Sequence, residues 1–195
     1  TGNAGVCGKS SATAALQDEL TGALIGLAKA CGNNPRTEDT THILIEGLFT
    51  TITNVNFNDE TLREMIAKVH AEKERVVPNC ATCASPCGNT SDYDMKEIWE
   101  ADEDIRSLKS LILFGIRGMA AYAYHAMVLD FWDDEVGQFF RRALFALGED
   151  WGMDDLLPLA LEVGEQNLAC MALLDRANTH AFGTPEPAQV SMVVE

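Results

Sequence analysis

Leu16, Leu20, Leu24 and Leu27 recur at spacings of four and three, the period that lines side chains along one face of an α-helix. They predict an amphipathic helix over 12–31, which "GNNP" at 32–35 stops. Gly22 and Gly26 lie four apart in it. Glycine lowers helix propensity, so this pair predicts a close helix–helix contact. A second helix is predicted over 38–53, buried through Ile43, Leu44, Gly47, Leu48 and Ile52. Asn58 or Asp59 can cap a third, whose Leu62, Met65, Ile66 and Val69 face inward. Its end, "KVHAEKERV", has the charge pattern of a solvated face.

The plan then repeats. Residues 104–129 carry Leu108, Leu111, Ile112, Gly115, Met119, Ala120 and Ala123 at helical spacing. Residues 134–148 carry Val136, Phe139, Phe140, Leu144 and Leu147, and residues 154–178 carry Leu156, Leu157, Leu161, Leu168 and Leu173. Parts of the two halves match residue for residue. Leu16, Leu20, Leu24 and Gly26 correspond to Leu108, Ile112, Ile116 and Gly118 at one offset, and Leu48-Phe49 corresponds to Leu144-Phe145 at another. The shared order of helix, helix, "LF", acidic cap and helix points to an internal duplication.

The expected fold is therefore all-α, with two consecutive three-helix bundles. A cysteine-containing glycine-rich loop occupies 1–11, the first bundle 12–77, a cysteine-bearing linker 78–103 and the second bundle 104–179. Residues 180–195 leave the helical period. Pro185 and Pro187 stiffen them, and Val190, Met192, Val193 and Val194 look like the start of a strand. They are expected to lead into an α/β domain beyond this sequence.

Composition narrows the function. Thirty acidic and 14 basic side chains leave a net charge of −16. That excludes nucleic acid, which is bound by basic surface and counterion release, and disfavours an anionic membrane surface. No run of about 18 uncharged apolar residues is present, and no signal segment opens the chain. A soluble, intracellular protein is expected, so its six cysteines are read as reduced or metal-bound rather than as disulfide staples.

The opening "GNAGVCGKS" approaches a phosphate-binding loop, but Asn3 stands where the first glycine belongs and no buried strand precedes it. Cys7 is the residue left to explain. Cys80, Cys83 and Cys87 follow a Cys-x2-Cys-x3-Cys spacing, which suits an iron–sulfur cluster or zinc if a fourth ligand joins, or an idle linker if none does. Cys31 and Cys170 fall in helical patterns as small buried thiols. His42, His70, His125 and His180 share no metal-ligand spacing. Asp102, Glu103 and Asp104 open the fourth helix with charges that favour its dipole, and Arg106 is placed to reach a neighbouring domain. Trp99, Trp132 and Trp151 are expected in core or inter-bundle packing. No nucleophile, base and orienter stand together.

Longer segments carry a family resemblance: "GVCGK" at 5–9, "LQDEL" at 16–20, "GLFTTITNVNF" at 47–57, "ADEDIRSLKSLILFGIRGMAAYAYHA" at 101–126, "MALLDRANT" at 171–179 and "GTPEPAQV" at 183–190. Over essentially its whole length the chain resembles the N-terminal portion of the hybrid cluster proteins, also called prismane proteins or hydroxylamine reductases. It is less similar to the related nickel carbon-monoxide dehydrogenases. The resemblance implies a cytoplasmic iron–sulfur oxidoreductase, in which a helical domain of two three-helix bundles precedes two α/β domains. It implies a [4Fe-4S] or [2Fe-2S] cluster bound by four cysteines, of which Cys7 matches the last. It implies a hybrid [4Fe-2O-2S] cluster held by later domains, where hydroxylamine or nitric oxide is reduced with electrons from a donor protein. No residue of 1–195 matches a ligand of that catalytic cluster. Cys7 alone cannot hold a cubane, so the isolated chain is expected to be clusterless and inactive. Cys80, Cys83 and Cys87 resemble an insertion found in some members.

Overall fold

The computed structural model describes residues 8–31, 38–52, 56–77 and 91–187. The fold is all-α, and no β-strand occurs among the described residues. The helices are α1 (Ser11–Cys31), α2 (Glu38–Thr50), α3 (Asp59–Val76), α4 (Lys96–Trp99), α5 (Glu103–Val128), α6 (Asp134–Leu147) and α7 (Met153–Phe182). Six of them stand where the periodicity predicts, and α4 is a short turn inside the expected linker.

The starts of α3 and α6 follow from side-chain capping. The Asn58 side chain accepts the Glu60 amide at 2.9 Å, and Asp133 accepts those of Glu135 and Val136 at 3.0 and 3.1 Å. Each satisfies amides that have no partner within the helix. Acidic residues fill the first turns of α3, α5, α6 and α7, where the helix dipole favours them. α7 runs on to Phe182 rather than ending at residue 178, and Gly183 closes it at φ +84°, donating its amide to Thr179 O at 2.9 Å. Val190, Met192, Val193 and Val194 lie outside the described residues, as do residues 32–35.

α1, α2 and α3 pack on one another, and so do α5, α6 and α7; α1 and α2 also pack on α6, and α2 on α5. One large core runs through both triplets, and a smaller cluster of Ala126, Leu173 and Ala177 lies between α5 and α7. Leu20, Leu24 and Leu44 share the large core with Ile116, Phe140 and Leu147, and Trp99, Trp132 and Trp151 pack partly buried around it.

Two expectations change. Gly22 and Gly26 admit an extended segment, not a helix. A Cβ on Gly22 would overlap the Tyr93 carbonyl oxygen, and one on Gly26 would lie 2.9 Å from the Ser91 oxygen. Tyr93 donates its amide to Gly22 O at 3.1 Å, so backbone meets backbone where no side chain intervenes. The burial of α5 and α7 also departs from the sequence reading. Leu111, Leu157, Leu161 and Leu168 are exposed, while Leu159, Val163 and Ala177 join Leu156, Cys170 and Leu173 inside. Both helices are apolar on two faces, so periodicity alone could not choose the inner one.

Among the described helices, α5 alone is long and apolar enough to cross a membrane. It carries Arg117 near its middle, and it packs against α2, α4, α6 and α7.

Gly22→Ala tests the backbone contact. In an open helix the change would stabilise by about 1 kcal/mol. Here chemical denaturation is expected to show a loss of about 1–3 kcal/mol, because Tyr93 must move.

Candidate functional site

Cys7 lies outside the described residues, as do Cys80, Cys83 and Cys87. The seat that follows Cys7 is well defined. Gly8 has φ +78°, a left-handed turn that glycine adopts without strain. It directs Lys9 inward, where the buried ammonium donates to Gln17 Oε1 at 2.7 Å and lies 5.1 Å from the Phe57 ring centroid. The Ser10 hydroxyl accepts the Thr13 amide at 3.0 Å and caps α1. Thr13 donates to Asp59 Oδ1 at 2.6 Å, and Gln17 Nε2 donates to Asn56 O at 3.3 Å. The start of α1 is thereby tied to the start of α3. The partial positive charge of a helix start favours an anion beside it.

The described residues do not supply an iron–sulfur ligand set. Among them no group of three or more histidine, cysteine or carboxylate side chains is placed to hold a metal. Cys31 and Cys170 are both buried in the helical core. Burial, and then the charge of Asp133, push the Cys170 thiol up to about 12; it stays protonated and is a poor ligand.

The histidines are dispersed. His42 packs edge-on against Trp132 at 4.9 Å, and its Nε2 is buried without a hydrogen-bond partner. His125 Nδ1 donates to Ala121 O at 2.6 Å, and His180 lies against Phe131. His70 donates to Asp92 Oδ2 at 2.7 Å. Beside His42, an open hollow of about 550 Å³ is lined by Asp39, Glu46, Lys68, Glu72 and Tyr124. Two of its acids are met by cations: Lys68 pairs with Glu46, and Arg75 with Glu72 at 2.6 Å.

Buried charge is what the sequence pattern missed. Glu72 and Lys73 sit in the segment expected to be solvated, yet both are buried. Lys73 pairs with Asp92, and Glu72 accepts from Thr40 and Arg75. Asp92 stands directly before Tyr93, so α3 pins the segment that lies on Gly22 and Gly26. Burial pushes the Asp92 carboxyl up, but hydrogen bonds from Lys73 and His70 and their charges outweigh it, leaving it below the usual carboxylate range.

Further in, Arg117 of α5 donates to Thr21 Oγ1 of α1 at 2.8 Å. Burial brings Arg117 down to about 10, against the charge of Asp18. Burial raises Asp18, against the charge of Arg117. Arg117 remains a cation at neutral pH.

The sign of a pH effect follows. Asp92 has a lower pKa folded than its ordinary value of 3.8, so its contribution is complete above that value and fades as pH falls through the folded pKa. Asp92→Asn is expected to destabilise by about 1–3 kcal/mol at pH 7. Urea titrations at pH 7 and pH 3 should show the difference from the parent sequence shrinking at the lower pH.

Comparison with known proteins gives one consistent result. The family model described as Prismane/CO dehydrogenase family matches residues 1–195. A hydroxylamine reductase of Thermoanaerobacter pseudethanolicus is 39 % identical over 211 residues, covering 97 % of this chain and 39 % of the relative. One of Chlorobaculum tepidum is 40 % identical over 196 residues, covering 93 % and 36 %. One of Methanosarcina mazei is 34 % identical over 209 residues, covering 97 % and 38 %. The chain thus spans less than two-fifths of the length of these relatives.

Proposed function

Because the chain belongs to the Prismane/CO dehydrogenase family, we propose that it is the helical, electron-entry portion of a longer iron–sulfur reductase. The proposed reaction takes hydroxylamine, two electrons and two protons to ammonia and water. The alternative substrate is nitric oxide, two molecules of which take two electrons and two protons to nitrous oxide and water. The observation that carries this reading is the 39 % identity to a hydroxylamine reductase across 97 % of the chain.

In this reading residues 12–77 and 104–179 are two three-helix bundles related by duplication, and α/β domains follow residue 195. The protein is cytoplasmic and takes electrons from a donor protein. Cys7 is one of four thiolates on a [4Fe-4S] or [2Fe-2S] cluster, which would relay electrons towards the hybrid cluster of the later domains. A cofactor of this kind supplies the redox chemistry, and the protein supplies position and field. The seat after Cys7 supports its part. Gly8, Lys9 and Ser10 hold the chain to the start of α1 directly after it in the sequence. The residues 1–195 alone supply one of the four thiolates and none of the catalytic ligands, so that chain by itself is read as inactive. The hydroxylamine reductase names of the matched relatives favour this reading over a carbon-monoxide dehydrogenase relative.

The test is anaerobic purification of the native protein, with intact mass, iron content and hydroxylamine turnover measured on one sample. A mass well above 21.2 kDa, bound iron and ammonia formation are expected. Cys7→Ser should remove about one cluster's iron and slow turnover by at least about tenfold, while leaving the helical circular dichroism in place. A native mass of 21.2 kDa with no iron would overturn the assignment.

A further inference from the structure

The helices α5 and α7 each carry an apolar stripe that faces away from the core. On α5 it is Leu111, Phe114 and Gly118; Leu111 and Phe114 are 60 % and 57 % exposed. On α7 it is Leu157, Leu161, Gly164, Leu168 and Met171; Leu161 and Leu168 are 68 % and 66 % exposed. Spacings of three and four hold each stripe to one side of its helix. The two helices pack in parallel register, since Gly115 meets Val163 and Ala126 meets Leu173 and Ala177. At about 100° per residue both stripes turn to the same side of the pair and make one surface.

Glycines mark this surface independently. Among the seven glycines inside described helices, Gly22, Gly26, Gly47, Gly115 and Gly137 each have a neighbour that an added Cβ would strike. Gly118 and Gly164 have nothing within 4 Å. They weaken their helices with no close neighbour gained among the described residues, and both lie in the exposed stripes.

We propose that this α5–α7 face is the seat of the remaining domains of the longer chain, whose surface approaches closely at Gly118 and Gly164. The proposal rests on the reading of this chain as part of a longer reductase. Two observations choose that occupant. The matched relatives continue for more than half their length outside the shared region, so a large body is at hand to cover the face. A second copy is the poorer occupant, because joining two chains of net charge −16 sets like charge against like. The same charge repels an anionic membrane.

Hydroxyl-radical footprinting of the longer native protein and of residues 1–195 tests this, with the native mass and the mass of each species in solution measured in parallel. Oxidation of Phe114, Leu161 and Met171 is expected to fall at least about fivefold in the longer protein, as in a dry packed interface. Gly118→Ala should raise the Tm of residues 1–195 by about 2 °C, because the space is open and the helix gains. In the longer protein it should lower Tm, because the methyl meets the docked domain. Equal oxidation in both proteins, or a raised Tm in both, would sink the docking idea while the reductase reading stands. A dimer of residues 1–195 that protects the same residues would assign the face to a second copy and overturn it as well. A native mass of 21.2 kDa would remove the reading itself, and the docking proposal with it.

Discussion

The carbonyls that end α6 are gripped by two lysines from distant parts of the chain. Lys29, in the last turn of α1, donates to Gly148 O at 2.7 Å and pairs with Glu149 at 3.0 Å. Lys109, in α5, donates to Leu147 O at 3.0 Å and to Glu149 O at 2.8 Å. The last carbonyls of a helix have no intrahelical donor and carry its negative dipole end, so cations are the natural partners. Burial lowers the Lys109 pKa, opposed first by the charge of Asp150. The ammonium is kept in place because its hydrogen bonds replace the water it lost. This clamp fixes the register of α6 between the two helix triplets. Phe140, Ala143, Leu144 and Leu147 then present to α1, α2 and α5 together, and a core shared by both triplets follows.

The segment 91–93 depends on the same frame. It lies across α1 only because Gly22 and Gly26 leave room and because Asp92 is held by Lys73 and His70 of α3. A polar pair and a bare backbone strip thus do what a hydrophobic contact does elsewhere in the molecule. Buried polar groups specify position when every partner is supplied. The seat after Cys7 is built in that way too. Lys9 and Gln17, and Thr13 and Asp59, join the starts of α1 and α3 through side chains that satisfy one another.

Much of the helical frame was legible in the sequence because its cause is local. Periodic leucines, the Asn58 cap and the acidic start of α5 act within a few residues, whereas the Asp133 cap of α6 appears only in the structure. The buried ionic groups were not legible. Glu72, Lys73 and Lys109 read as surface residues by type, and only tertiary packing supplies the partners that let them go inside. The glycine pair in α1 gave the right physical warning, close approach, with the wrong neighbour. For the site, "GVCGK" pointed to Cys7 through resemblance. The bonds of Lys9 and Ser10 that fix the following turn have no periodic signature.

The two-faced character of α5 links the core to function. A helix apolar on one side is satisfied by one core, whereas a helix apolar all round needs cover on every side. Within the described chain, α5 is covered where Ile112, Leu113, Ile116, Met119, Ala120, Ala123 and Ala126 are buried, and left open at Leu111, Phe114 and Gly118. Arg117 is the one charge between Ser110 and Val128, and it is drawn inward to Thr21 rather than left on the outer face. The outer face is therefore uncharged by construction, in a chain that is otherwise strongly acidic. Surface selection for solubility would place carboxylates there first. Leu111, Phe114 and Gly118 on α5 and Leu157, Leu161, Gly164 and Leu168 on α7 stand there instead, which makes those stripes packing surfaces rather than solvated ones.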